Sequence, residues 1–168
     1  MFNDMSRGFV SCDLSKSLNQ SLDTALWPDI EFKPNQNTQR MAERDIKDLK
    51  VLLVEDVEDT RLFMRIELEA HGFIVFEAAD GRSAVDMAVK ESPDVILMDL
   101  SLPTMDGFAA AKLIRKKSPK LQKVPIIAVT AHHEADFRTS AQASGFDAYV
   151  TKPIDINWLK ELINGLLI

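Results

Sequence analysis

The chain has 168 residues, the length of one ordinary domain with room for a tail. Hydrophobic residues make up 46% and charged residues 27%, a soluble globular balance, and the net charge of -6 argues against a mainly electrostatic nucleic-acid binder. The single Cys12 excludes an intramolecular disulfide, no apolar run approaches membrane-spanning length, and Met1 to Val10 lack the apolar core of a secretory signal, which together predict a cytoplasmic, single-core protein.

The pattern changes near residue 48. Residues 1–48 are rich in Ser, Asn, Gln, Asp and Thr, with scattered apolar positions. Within them Leu14, Leu18, Leu22 and Leu26 recur every four residues and predict an amphipathic helix over about 12–27, ended by Pro28. About four turns without a partner are only weakly stable, so the segment is expected to be partly disordered or to fold on docking. Residues 33–40 read as a linker, and Met41 opens a shorter frame, so translation from Met1 or from Met41 is left open.

From residue 49 short apolar runs alternate with helical stretches. Val51-Leu52-Leu53-Val54 reads as a strand that stops at Glu55-Asp56, and residues 60–71 as a helix ended by Gly72. Ile74-Val75-Phe76 is a second strand. Asp80 is placed to cap a helix running to about Glu91, before Pro93. Val95-Ile96-Leu97-Met98 ends at Asp99, and residues 107–117 form a third helix. Ile126-Ile127-Ala128-Val129 ends at Thr130, and residues 134–144 form a weaker helix stopped by Gly145. Ala148-Tyr149-Val150 ends near Lys152-Pro153, and Asp155 is placed to cap a last helix with Leu159, Leu162, Ile163 and Leu166 at helical spacing. Five alternations of strand and helix predict an α/β fold, a parallel sheet with helices on both faces. The uninterrupted apolar strands agree, because both faces of such a sheet are covered.

Parallel strands bring their C-terminal ends to one edge, where ligands of open α/β folds bind. That edge would receive Glu55, Asp56, Asp99, Thr130 and Lys152. Three close carboxylates repel unless one is protonated or a cation joins them. A hard divalent ion such as Mg²⁺ suits oxygen donors and phosphate. With a lysine and a threonine hydroxyl alongside, the set suits a phosphoryl group, which an Asp carboxylate can take as an acyl phosphate.

Four blocks, Val51 to Asp56, Leu97-Met98-Asp99 to Gly107, Ala128 to Ala131, and Tyr149 to Pro153, together resemble the receiver domain of two-component response regulators over about residues 49–168. The resemblance implies a flavodoxin-like (βα)5 fold with strand order 2-1-3-4-5. It implies Asp99 as phosphoacceptor, and Mg²⁺ (or Mn²⁺) held by Asp56, Asp99 and the backbone carbonyl of Ser101, with Glu55 acting through water. Thr130 and Lys152 match the residues that contact the phosphoryl oxygens, and Tyr149 the aromatic switch. Ser101 and His132 match positions that tune autodephosphorylation, with the direction not readable from sequence. The Lys152-Pro153 bond is often cis in the family. The implied partners are a histidine kinase or histidine phosphotransfer protein and an unidentified downstream protein, with no nucleic acid and no membrane, the protein being a monomer or a phosphorylation-dependent dimer. The expected output face combines the helix at 134–144, the strand at 148–150 and the last helix. No output domain follows Ile168 in this sequence, so the expectation is a stand-alone receiver that acts by contact and not a multiple-turnover enzyme.

The sequence admits other readings. The same fold could serve as a phosphorylation-independent interaction module. An aspartyl phosphatase usually needs a second Asp where Ser101 stands, and a flavin carrier would place its phosphate against the acidic Glu55–Asp59 loop. Adjacent His132 and His133 are expected to be loop residues, not a metal site. In the first receiver helix, Leu62 and Ile66 point away from Met64 and Leu68 at about 100° per residue. They are expected either to dock the phosphodonor or to lie under the N-terminal tail.

Overall fold

The computed structural model describes residues 10–12, 48–132 and 135–167. In chain order the elements are β1 (Val10–Cys12), β2 (Lys50–Val54), α1 (Glu58–Ala70), β3 (Ile74–Ala78), α2 (Gly81–Glu91), β4 (Val95–Met98), α3 (Gly107–Lys117), β5 (Ile126–Thr130), α4 (Ala135–Ala143), β6 (Ala148–Thr151) and α5 (Ile156–Leu167). Every strand pair is parallel, and the sheet runs β1-β6-β5-β4-β2-β3. Leaving β1 aside, the five strands from residue 50 onward have the expected 2-1-3-4-5 order, the flavodoxin-like arrangement.

Successive side chains of a strand point to opposite faces, and both faces here are dry. Leu52 and Val54 of β2, Ile96 and Met98 of β4, and Ala128 of β5 pack with Ala84, Val85 and Ala88 of α2 and Ala110, Ala111 and Ile114 of α3. The alternate residues, Val51, Leu53, Leu97, Ile127 and Val129, pack with Met64 and Leu68 of α1 and Leu159, Leu162 and Ile163 of α5. A polar residue inside any of these strands would be buried without water, so polar side chains are confined to the strand ends.

Side-chain caps fix where the helices begin. Asp80 accepts from the Ser83 amide at 2.8 Å, and the Asp80 amide donates to Ser83 Oγ at 3.3 Å, a reciprocal capping box. Asp106 accepts from the Ala109 amide at 2.8 Å, and Asp155 from the amides of Asn157 and Trp158 at 2.8 and 3.1 Å. Helix α1 differs: its N-cap is Val57, which has no side-chain cap. Gly72 and Gly145, which follow α1 and α4, have φ of 93° and 90°, a region glycine enters freely.

Arg115 ties the far end of the sheet together. Its guanidinium pairs with Asp147 Oδ2 at 2.6 Å and donates to the carbonyls of Gly145, Leu121 and Val124. Asp147 Oδ2 in turn accepts from the amide of Ile126 at the start of β5.

Strand β1 is the departure from expectation. Val10, Ser11 and Cys12 pair with Ala148, Tyr149 and Val150 and make β6 an interior strand over that length. Except for Cys12, the helix expected over about 12–27 lies outside the described residues, as do the linker at 33–40 and Met41.

The Ser83 amide is the main cause holding the Asp80 carboxyl below the usual carboxylate range. The cap therefore stabilises the fold above the ordinary aspartate value and fades as pH falls through the lowered one. Asp80→Ala is expected to cost about 1 kcal/mol at neutral pH. In urea titrations the gap from the parent protein should close below about pH 4.

Candidate functional site

The register brings the strand-end residues together. Val54 pairs with Met98, so Glu55 and Asp99 leave adjacent strands side by side; Thr130 pairs with Thr151, so Lys152 follows next to them. Backbone hydrogen bonds extend the sheet one step into the site: Glu55 N–H donates to Ala78 O, Asp99 N–H to Val54 O, and Lys152 N–H to Thr130 O.

Lys152 Nζ lies between two carboxylates, 2.5 Å from Glu55 Oε2 and 2.6 Å from Asp99 Oδ2. Glu55 and Asp99 are buried, while Asp56 beside them is exposed. Burial works against the lysine ammonium, but hydrogen bonds and charge from Asp99 and Glu55 outweigh it and raise the group above the ordinary lysine value. Lys152-Pro153 is cis.

Glu55, Asp56 and Asp99 each offer a carboxylate oxygen, and these oxygens lie within 4.8 Å of one another. Three ionised carboxylates against one ammonium leave two negative charges, which a hard divalent cation would balance with donors of the right kind. The residues therefore fit such an ion.

Neighbouring groups hold the carboxylates in place. Asp99 Oδ1 accepts from the Ser101 amide at 2.9 Å. Glu55 Oε1 accepts from the Val57 amide at 3.3 Å. Arg61 Nη1 donates to the carbonyls of Glu55 at 2.8 Å and Asp56 at 3.4 Å, while its Nε pairs with Glu77 at 3.3 Å. Arg61 was not singled out from sequence, because an arginine in the first turns of an amphipathic helix carries no mark of the loop it grips. Gly107 is needed for space: a Cβ there would fall 2.3 Å from the Asp99 carbonyl oxygen, which lets the start of α3 sit against the site.

Thr130 and Tyr149 are fully buried. Thr130 Oγ1 accepts from the His132 amide at 3.3 Å, and the Tyr149 hydroxyl donates to the His132 carbonyl at 2.8 Å. Tyr149 thus lies inside the fold. Ser101 Oγ and His132 Nε2 share a hydrogen bond of 2.9 Å across two loops.

On α1, Met64 and Leu68 are buried, whereas Leu62 and Ile66 are 43% and 52% exposed, with Phe63 at 64%. The two faces inferred from helical spacing are therefore the ones present. Among the described residues no helix is long and apolar enough to cross a membrane.

Thr104, in the loop between β4 and α3, has φ of 67°, a conformation that β-branched residues rarely hold. Its side chain is exposed, so little but backbone strain changes on substitution. Thr104→Asn, a residue that tolerates this region, is expected to raise stability by about 0.5–1 kcal/mol in chemical denaturation.

The model of the response regulator receiver domain matches residues 51–164. The chain is 38% identical over 117 residues to an uncharacterized 14.6 kDa protein of Leptolyngbya boryana, covering 70% of this chain and 85% of the relative. It is 32% identical to Protein PilH of Pseudomonas aeruginosa, covering 70% of this chain and 97% of that one. Other relatives are longer, and the chain spans 45% of one and 23% of another. Among solved structures, the receiver domain of a Pseudomonas aeruginosa sensor histidine kinase, with a magnesium ion coordinated in its active-site cleft, superposes with a TM-score of 0.66 at 32% identity. That match covers 71% of this chain and 98% of the other.

Proposed function

The chain belongs to the response regulator receiver family of two-component signalling, and we propose on that footing that it takes a phosphoryl group onto Asp99 from a phosphohistidine. The donor is a histidine kinase or a histidine phosphotransfer protein, and the phosphorylated form signals by protein contact. The observation that carries this reading is the placement of Lys152 between two buried carboxylates, with a third carboxylate at the rim.

A carboxylate oxygen of Asp99 attacks phosphorus in line as the P–N bond of the donor breaks. The electron pair goes to the imidazole nitrogen, so no base is needed to generate the nucleophile. Lys152 lies 2.6 Å from Asp99 Oδ2, where an ammonium stabilises the phosphoryl oxygens as charge spreads over them. Glu55 holds the other side of that ammonium and keeps it aimed. Mg²⁺, held by Asp56, Asp99 and the Ser101 carbonyl with Glu55 acting through water, would supply the positive charge that lets an anionic donor approach an anionic pocket. The family is generally not one of multiple-turnover enzymes, and the product here is the acyl phosphate itself.

Thr130 is bonded to the amide of His132 and Tyr149 to its carbonyl, which supports their reading as a switch pair. A Thr130 hydroxyl that turns to the phosphoryl group gives up the His132 amide, and that loop carries the acceptor of the Tyr149 hydroxyl. The change then spreads to β6 and α4, in keeping with an output face on α4, β6 and α5.

Wild-type protein is expected to incorporate label from acetyl phosphate only with Mg²⁺, and Asp99→Asn to incorporate none. A wild type that stays unlabelled with several donors would instead make the chain a phosphorylation-independent binding module. The exposed Leu62 and Ile66 are read as part of the donor's docking surface. Leu62→Glu should slow transfer from a phosphorylated histidine protein about tenfold or more and leave acetyl phosphate labelling unchanged. Equal slowing of both donors would remove α1 from the docking surface.

A further inference from the structure

Tyr149 is the largest fully buried side chain among the described residues, and it packs on the face of the sheet that α2, α3 and Ala141 of α4 cover. Two groups hold it there. Its hydroxyl donates to the His132 carbonyl at 2.8 Å. Its ring lies under Arg138 of α4, whose guanidinium carbon is 5.4 Å from the ring centroid. At that distance a cation is drawn to the face of an aromatic ring. The partner of Tyr149 in β5 is Ala128, too small to wedge the ring in place from that side. The two anchors differ in what they depend on. His132 belongs to the loop that Thr130 grips, its amide donating to Thr130 Oγ1 at 3.3 Å. Arg138 belongs to a helix, beside Phe137, which stacks on the His132 ring with centroids 4.1 Å apart.

A tyrosine ring is apolar over its body and polar at its tip, so the hydroxyl needs a partner when the ring is buried. With that anchor alone, the ring would stay inside only while the His132 carbonyl stayed in reach. A guanidinium over the ring adds an attraction that does not pass through the His132 loop. We propose that Arg138 is a positioning residue of the switch, whose cation keeps the Tyr149 ring inside the fold in the unphosphorylated protein. Helix α4 thereby sets the resting state of the output face, and a partner that reads this face meets an inward ring in the resting protein. The inference rests on Thr130 and Tyr149 being the switch pair.

The attraction is of a size to bias an equilibrium and not to lock it. A cation over an aromatic face at a half-buried position favours the inward ring about three- to tenfold. Without the cation, the hydroxyl bond is the remaining hold, and the ring follows the loop. A Thr130 hydroxyl that turns to the phosphoryl group and gives up the His132 amide would then move the ring as well. With the cation in place, the hydroxyl can change partner while the ring stays inside. Arg138 thus separates two parts of the output. The position of the loop answers to the phosphoryl group, and the burial of the ring answers to the charge on α4.

Tyr149 is the single tyrosine of the chain, so fluorotyrosine incorporated into full-length protein gives one fluorine resonance, from this ring alone. Its shift between light and heavy water measures the exposure of the ring. Wild type is expected to show a buried ring with and without phosphorylation by acetyl phosphate and Mg²⁺. Arg138→Gln keeps an unbranched, helix-forming side chain and loses the charge. It should raise the exposed fraction of the unphosphorylated protein about three- to tenfold, and that fraction should then change on phosphorylation. Arg138→Lys should restore burial in part, since it returns the charge without the planar group. A side chain that only packed α4 would not separate Lys from Gln. A ring equally buried in Arg138→Gln overturns the proposal. So does an exposed ring in unphosphorylated wild type, or a Lys variant as open as the Gln variant. Should Arg138→Gln fail to fold, Arg138→Met, also unbranched and uncharged, decides in its place. A ring that opens in Arg138→Gln but ignores phosphorylation, in protein that takes phosphoryl label fully, overturns the switch reading and this inference with it. A wild type that takes no label overturns the assignment of Asp99 and the inference too. Both outcomes are distinct from a ring that stays buried in the variant.

Discussion

The fold leaves its polar chemistry only the ends of its strands. A parallel sheet covered on both faces has no room for charge within its strands, and its C-terminal edge is where the acidic groups and Lys152 gather. Lys152 sits where that constraint is sharpest. Its ammonium joins Glu55 and Asp99, residues that leave two different strands. One cation thus holds the ends of β2, β4 and β6 in common register and gives the pocket its shape. A pocket with two charges in excess is also poised: it is stable enough to stay folded and anionic enough to take up a divalent ion.

The surroundings show how such a pocket is kept rigid without being blocked. Arg61 grips the acidic loop by its carbonyls and not by its carboxylates, so Glu55 and Asp56 keep their side chains for other work. Gly107 lets α3 begin against the Asp99 carbonyl, which shortens the distance over which the loop can wander. Backbone hydrogen bonds fix where the carboxylates are, and the charged side chains then act on one another across a small, mostly dry volume.

Much of this was legible in the sequence because it rests on local chemistry. Three apolar runs led into Glu55, Asp99 and Lys152, and those ends meet in the pocket. Asp80 and Asp155 read as caps because a capping carboxylate acts on amides two or three positions away. Leu62 and Ile66 read as outward because helical spacing is exact enough over four residues to separate two faces. What could not be read depends on contacts between loops. The stack of His132 on Phe137 joins a loop to a helix through the shape of a turn, and the grip of Arg61 on two carbonyls leaves no trace in residue type. Strand β1 was invisible for a different reason: three residues paired through their backbone show no periodicity to detect.

That short strand has a consequence for how this sheet meets other chains. The edge of a sheet is a row of unpaired amides and carbonyls, a template open to any extended peptide. Here Val10, Ser11 and Cys12 lie along Ala148, Tyr149 and Val150, and a foreign strand seeking that stretch of β6 must first displace them. The pairing joins segments far apart in sequence across a long chain closure, with only three residues to hold it, so β1 belongs to the part of the sheet that opens most readily. Access to β6 is therefore decided by competition between an intruding strand and a tethered one. The tethered strand begins with the advantage of being always at hand.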